Sequence, residues 1–93
     1  MQTKYLFKNI IEDEVITEVA EKIKLIPDVC KCEKCFCDIC AIVLNNIPPQ
    51  YTTSEQGDLI GKANSLMNFE MRSRIAIEIF KAIELVSNNP RHV

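Results

Sequence analysis

The sequence predicts a mainly α fold. It reads as a small helical domain with a cysteine metal clip between its first and second helices. There is room for one short β element, and a long C-terminal helix carries a dimer seam. Three observations predict this. Apolar residues recur at helical spacing near both ends of the chain, glycine occurs only twice in 93 residues, and all five cysteines lie between Cys30 and Cys40. Scarce glycine and few alternating β-branched runs argue against a turn-rich all-β fold. The length is that of a single domain, residues 1–93.

The first helix opens at Asn9, an N-cap residue type, with Glu12 three positions on as its capping-box partner. Ile11, Val15, Val19 and Ile23 form a stripe at four-residue steps, which Ile16 and Ala20 widen. The acids Glu12, Asp13 and Glu14 suit the positive end of the helix dipole. Pro27 stops the helix, because the residue before a proline is pushed out of the α region. A second helix starts at Asp38 and runs through Ile39–Leu44 to the Asn45–Asn46 pair. Apolar on almost every side, it reads as the central element. Pro48 and Pro49 break it, and Gln50 to Thr53 are extended, with the potential to pair as a short edge strand. Residues 53–57 read as a turn and 58–67 as a strand or irregular segment, since two glycines flank Leu59 and Ile60.

The last helix, from about Asn68 to Ser87, is the clearest. Met71, Ile75, Ile79, Ala82 and Val86 make one stripe, and Ala76, Phe80 and Ile83 widen it to about half the circumference at roughly 100° per residue. That is more apolar surface than a chain of this size has elements to cover, so we expect a homodimer through this helix. Arg72 falls inside the apolar arc, where it either snorkels from the first turn or meets an anion at the seam. Arg74 and Lys81 read as solvated, and Tyr51 as core.

The cysteine count is odd, so a closed set of intrachain disulfides is excluded. Neighbours one or two residues apart also rarely reach unstrained disulfide geometry. Cys30, Cys32 and Cys35, at C-x-C-x-x-C spacing, converge on one point if the chain curls round an ion, and zinc takes such thiolates in a tetrahedron. An iron–sulfur cluster and copper(I) are alternatives for soft sulfur ligands. Buried, metal-free cysteine is the bland alternative, most apt for Cys40. A redox C-x-x-C is disfavoured, because a charged turn after Pro27 precedes the cysteines where that motif has a strand. A structural zinc contributes on the order of 10 kcal/mol. The whole domain, by the per-residue rule, has about 5–14 kcal/mol.

Composition bounds the function. With 47% apolar and 26% charged residues the chain is globular. A net charge of −2 argues against direct nucleic-acid binding, which wants a basic excess. No apolar run approaches the roughly 18 residues of a membrane span. Lys4 and Lys8 lead into Glu12–Glu14 without a long apolar stretch, so no secretory signal is expected and the expected location is cytoplasmic. No Ser/His/Asp set and no phosphate-binding glycine loop is visible, and we expect no enzyme activity.

The run Cys30-x-Cys32-x-x-Cys35-x-x-Asp38-Ile39-x-Ala41, followed by Leu44-Asn45-x-x-Pro48-Pro49-x-Tyr51, resembles the late competence development protein family, ComFB. The match is specific over this stretch. It extends more loosely to the acidic first helix and to Ala82-Ile83-x-x-Val86 and Asn89-Pro90-Arg91-His92. The resemblance implies a small, mainly helical bacterial homodimer with a cysteine-bound zinc, linked to natural competence, the uptake of DNA. Some cyanobacterial members look like cyclic dinucleotide receptors. Some members also take a fourth cysteine from the C-terminal region, where this chain has none. Cys37, extra to the motif, is therefore the expected fourth ligand beside Cys30, Cys32 and Cys35, with His92 second and Cys40 third.

Three functions follow as expectations. The first is a non-enzymatic, zinc-stabilised regulatory or adaptor homodimer of late competence with a protein partner. The second is a receptor for cyclic di-GMP or cyclic di-AMP, with Arg72, Arg91 or Lys62 on the phosphates and Tyr51 or Phe69 stacking a base. The third is a thiol-redox or metal-trafficking protein.

Overall fold

The computed structural model describes residues 7–53 and 69–89. Within them the order is β1 (Lys8–Asn9), α1 (Ile10–Lys24), α2 (Glu33–Asn46), β2 (Tyr51–Thr52) and α3 (Phe69–Asn88). The readings for residues 54–67 and for His92 lie outside the described residues.

Asn9 caps α1 as its residue type predicts. Its side-chain Oδ1 accepts from the Ile11 amide at 3.2 Å and from the Gln50 amide at 2.8 Å. The same residue therefore closes the helix start and ties it to the segment following α2. The Ile10 amide donates to the Gln50 carbonyl at 2.8 Å beside it. β1 and β2 pair antiparallel here, Lys8 opposite Thr52 and Asn9 opposite Tyr51. The expected short edge strand thus exists, and its partner is the residue pair leading into α1. Tyr51 is not core: it is 65% exposed, with its ring edge-on to Phe7 at 5.9 Å. A strand only two residues long gives its outward side chain little to pack on, and here the ring meets Phe7, the residue just before β1.

The stripe of α1 is buried as expected, Ile11, Val15, Val19 and Ile23 all facing inward. The helix ends at Lys24, and Leu25 donates its amide back to the Lys22 carbonyl at 3.1 Å. Pro27 follows, and Asp28 takes a left-handed turn at φ 67°, a conformation Asp tolerates better than most residues. The chain then leads through Cys30 into α2.

α2 lies between the other two helices and packs on both, more extensively on α3. It starts at Glu33, not Asp38. The extra turn is capped by a thiol: the Cys32 Sγ accepts from the Cys35 amide at 3.4 Å, and the Phe36 amide donates to the Cys32 carbonyl at 3.0 Å. Cysteine is not among the preferred cap residues, which hides this start in the sequence. Cys35, Ile39, Cys40 and Val43 form its inner face, and Ile47 is buried just beyond its end. Contrary to the all-round apolar reading, Ala41 and Asn45 face out. α3 supplies Ile75, Ile79, Ala82, Ile83 and Val86 to the same core. Phe80 is 49% exposed, so the buried arc is narrower than the sequence stripe. Arg74 is not merely solvated. Its Nη2 donates to the Asn46 carbonyl at 3.2 Å, at the C-terminus of α2, where unpaired carbonyls and the helix dipole favour a cation.

Candidate metal centre

The centre forms where the α1–α2 connection meets the first turn of α2. Cys30 lies in the connection, Cys32 is the N-cap, and Cys35 is the third residue of the helix. Their sulfurs all lie within 4.8 Å of one another. A tetrahedral zinc with bonds of about 2.3 Å holds its sulfurs roughly 3.8 Å apart. The observed separations exceed that by no more than about 1 Å, so three thiolates so placed suit such an ion. Cys35 anchors the group from the core, fully buried, while Cys30 and Cys32 are exposed. An ion held by all three would sit near the surface, with one of its sulfurs buried.

The electrostatics are those of a reduced cluster. Burial first, and then hydrogen bonding and charge from Cys32 and Cys30, push the Cys35 thiol up from 9.0 to about 12. A bound dication reverses this, because the metal takes the thiolate and displaces the proton. Lys31 sits between Cys30 and Cys32 and directs its ammonium to the turn carbonyls of Ile26 and Val29, at 3.5 and 3.4 Å. The N-terminus of α2 adds its positive end beside the sulfurs.

The structure does not bring Cys37 to this cluster. The early start of α2 explains why: Cys35 and Cys37 are two helical residues apart, about 200° round the axis, and their side chains leave on opposite sides. Cys37 is exposed. Cys40 sits in the core, its thiol raised by burial and, less, by the charge of Cys37. Among the described residues the cluster is a set of three.

Of the residues placed on a ligand's phosphates or bases, Arg72 and Phe69 line one groove of about 330 Å³ between α1 and α3, with Glu14, Glu18 and Lys22. The Lys22 ammonium is held by the Glu18 carboxylate at 2.6 Å. Arg72 is exposed at the first turn of α3. Tyr51 is elsewhere, on the β ribbon, and Lys62 and Arg91 lie outside the described residues. The sequence reading missed the groove's acidic wall. Glu14 and Glu18 are four apart on α1, a spacing that puts them on one face.

Three helices packed round a buried central face, with a thiol cluster at the N-terminus of the middle one, define a small helical domain of the cysteine-clip class. No helix among the described residues is long and apolar enough to cross a membrane. The sequence model of the late competence development protein ComFB matches residues 8–90, and the chain belongs to that family. The solved structure of the late competence protein ComFB from Bacillus subtilis superposes with a TM-score of 0.77 at 22% identity, covering 94% of each chain. That likeness shows the fold. No curated protein sequence matches the chain.

Proposed function

We propose that this protein is a non-enzymatic, zinc-stabilised regulatory or adaptor homodimer, cytoplasmic and associated with bacterial late competence. Family membership supports the competence association. The observation that carries the zinc reading is the cluster of Cys30, Cys32 and Cys35 across the α1–α2 joint. An ion there would fasten the exposed stretch Cys30 to Lys34 to the first turn of the central helix, adding to the apolar contacts that Val29 and Phe36 make with the core on either side of it. The homodimer reading is supported by α3, which leaves Ile77 55% and Leu85 60% exposed beside Phe80.

Metal analysis of the purified protein tests this, with sedimentation run alongside. We expect close to one zinc per chain and a dimer. Treatment with a strong chelator then lowers the melting temperature. A chain that carries no zinc, or that melts identically with and without chelator, overturns the staple.

The groove between α1 and α3 favours a second reading, a cyclic dinucleotide receptor, because it joins Arg72 and Lys22 to the exposed ring of Phe69. The carboxylates of Glu14 and Glu18 in the same wall oppose a phosphodiester, so this reading ranks second. Titration calorimetry with cyclic di-GMP and cyclic di-AMP decides it, and flat heats with both at high micromolar concentration reject it.

A further inference from the structure

We infer that Cys32 and Cys35 form a dithiol–disulfide exchange pair at the N-terminus of α2, and that its oxidation by a low-molecular-weight disulfide and its occupation by a metal ion exclude each other. The metal half of this rests on the zinc reading above; the exchange half does not.

The argument is geometric. Cys32-Glu33-Lys34-Cys35 is a C-x-x-C whose leading sulfur is the cap of a 14-residue helix and accepts the Cys35 amide at 3.4 Å. The sulfur thus sits at the exposed mouth of the first turn, beside the amide of the residue it would bridge. The leading cysteine is exposed and the following one buried, an arrangement that sets the order of events. A small disulfide reaches Cys32 and not Cys35. The two sulfurs lie within 4.8 Å, and residues three apart in a helical turn have α-carbons roughly 5–5.5 Å apart, inside the span a disulfide bridges. The charged turn before the cysteines made this motif look unlike a redox pair. The early start of α2 supplies the helix N-terminus that such a pair uses.

The chemistry balances with the small disulfide as oxidant. The Cys32 thiolate attacks one sulfur of the disulfide, forming a mixed disulfide and expelling one small thiolate. Cys35 gives its proton to the expelled thiolate and attacks the Cys32 sulfur, and the second small thiolate leaves and takes from water the proton that Cys32 released on becoming a thiolate. The protein loses two electrons, and the small disulfide gains them as two thiols. Both protein sulfurs then share a bond, and the metal loses two of the three ligands that the described residues provide.

Cys30 is the internal control. It is exposed too and belongs to the same cluster, but it lies before the helix, whose N-cap is Cys32. Cys30–Cys32 closure also joins residues only two apart, a spacing that strains the bridge.

The test uses the full chain, reduced and stripped of metal, incubated with oxidised glutathione, quenched by alkylation and mapped by mass spectrometry. We expect a Cys32–Cys35 bridge as the main product. Cys35→Ser should accumulate glutathione on Cys32 at least tenfold over Cys37, which is exposed without a helix end. Cys32→Ser should leave Cys35 unmodified. Bridges spread evenly over the cysteines, a dominant bridge to Cys30, or equal labelling of Cys32 and Cys37 in Cys35→Ser would each overturn the pair. A parallel arm loads the chain with zinc and repeats the oxidation with a chromophoric chelator present. One zinc released per bridge formed confirms the exclusion, and a bridge formed with zinc retained overturns it. A chain that binds no zinc yet forms the bridge sinks the zinc reading and leaves the pair standing. A zinc-binding chain without the bridge does the reverse.

Discussion

The two ends of α2 are secured by opposite kinds of chemistry. At its front, Cys30 and Cys32 are exposed beside the buried Cys35, and Phe36 and Val29 pack against the core from the edge. At its back, Ile47 is buried, Asn46 returns its side-chain amide to the Ile42 carbonyl at 3.0 Å, and Arg74 covers the Asn46 carbonyl. The back is fixed by packing that no solute exchanges. On the zinc reading, the front is also held by sulfurs whose bonding changes with metal, oxidant and proton. On that reading one helix joins a permanent anchor to a conditional one, and its position against α1 and α3 is expected to follow the state of the sulfurs.

The largest effect tests the conditional end. Cys35→Ser removes the buried ligand and leaves a hydroxyl in the core. We expect loss of zinc binding and a drop in stability larger than from any single substitution at the back, up to the order of 10 kcal/mol that structural zinc contributes in small domains. Chelation of the unaltered chain should reproduce most of that drop. If chelation costs nothing while Cys35→Ser still destabilises, the front is held by packing, and the contrast between the ends dissolves.

At the back, Ile47→Ala removes a buried side chain and should cost about 2–5 kcal/mol in chemical denaturation. Zinc stoichiometry should not change. A variant that loses zinc as well would show that the ends are not separable. Asn9→Ala is a third probe, at the ribbon that ties α1 to the residues after α2. Loss of a cap costs about 0.5–2 kcal/mol, and the bond from the Gln50 amide places this one toward the upper part of that range.

Much of this frame was legible in the sequence. The Asn9 cap, the α1 stripe and the limits of α3 follow from side-chain type and a 3.6-residue period, both local properties. The three clustered cysteines followed from spacing. What was not legible depended on the start of α2. Cys32 caps through sulfur, and Glu33-Lys34 looks like a polar loop, so the helix seemed to open at Asp38. Once the helix opens at Glu33, its pitch alone sends Cys37 away from Cys35. Tyr51 and Arg74 were misjudged for a related reason. Their surroundings are built by residues 42 and 28 positions away, Asn9 across the ribbon and Asn46 at the helix end, which periodicity cannot sense.

The two forms of the front should also answer pH in opposite directions. In the metal-free chain Cys35 holds its proton more tightly folded than unfolded, 9.0 rising to about 12. The unfolded chain therefore loses that proton first. The stabilisation from this group is complete below pH 9 and is lost as pH climbs toward 12. Zinc retention has the reverse slope, because each proton removed from a ligand favours the metal. Melts between pH 8 and 10.5, read against Cys35→Ser to subtract the other titrating groups, should show metal-free stability declining while zinc-loaded stability holds or rises. Parallel curves would mean that Cys35 is not a ligand.

The smallest effect sharpens the back end. Arg74 is exposed, so its bond to the Asn46 carbonyl competes with water, and Arg74→Met should cost no more than about 1 kcal/mol. Its value lies in what it separates. The guanidinium spans α3 to the end of α2, whereas Lys34–Asp38 at 2.9 Å is a pair within α2. Lys34→Met should cost no more than about 0.2 kcal/mol, the low end for helical ion pairs, because Lys precedes its acid and lies at the positive end of the helix, and it should act alike in zinc-loaded and metal-free protein. Arg74→Met should cost more once zinc is removed, because the back contacts then carry alone the placement of α2 against α3. A double-mutant cycle of Arg74→Met with Cys35→Ser measures this coupling as a departure from additivity. Strict additivity would show that α2 is rigid enough to hold its place from either end, and the two ends would be independent fastenings of one fixed helix.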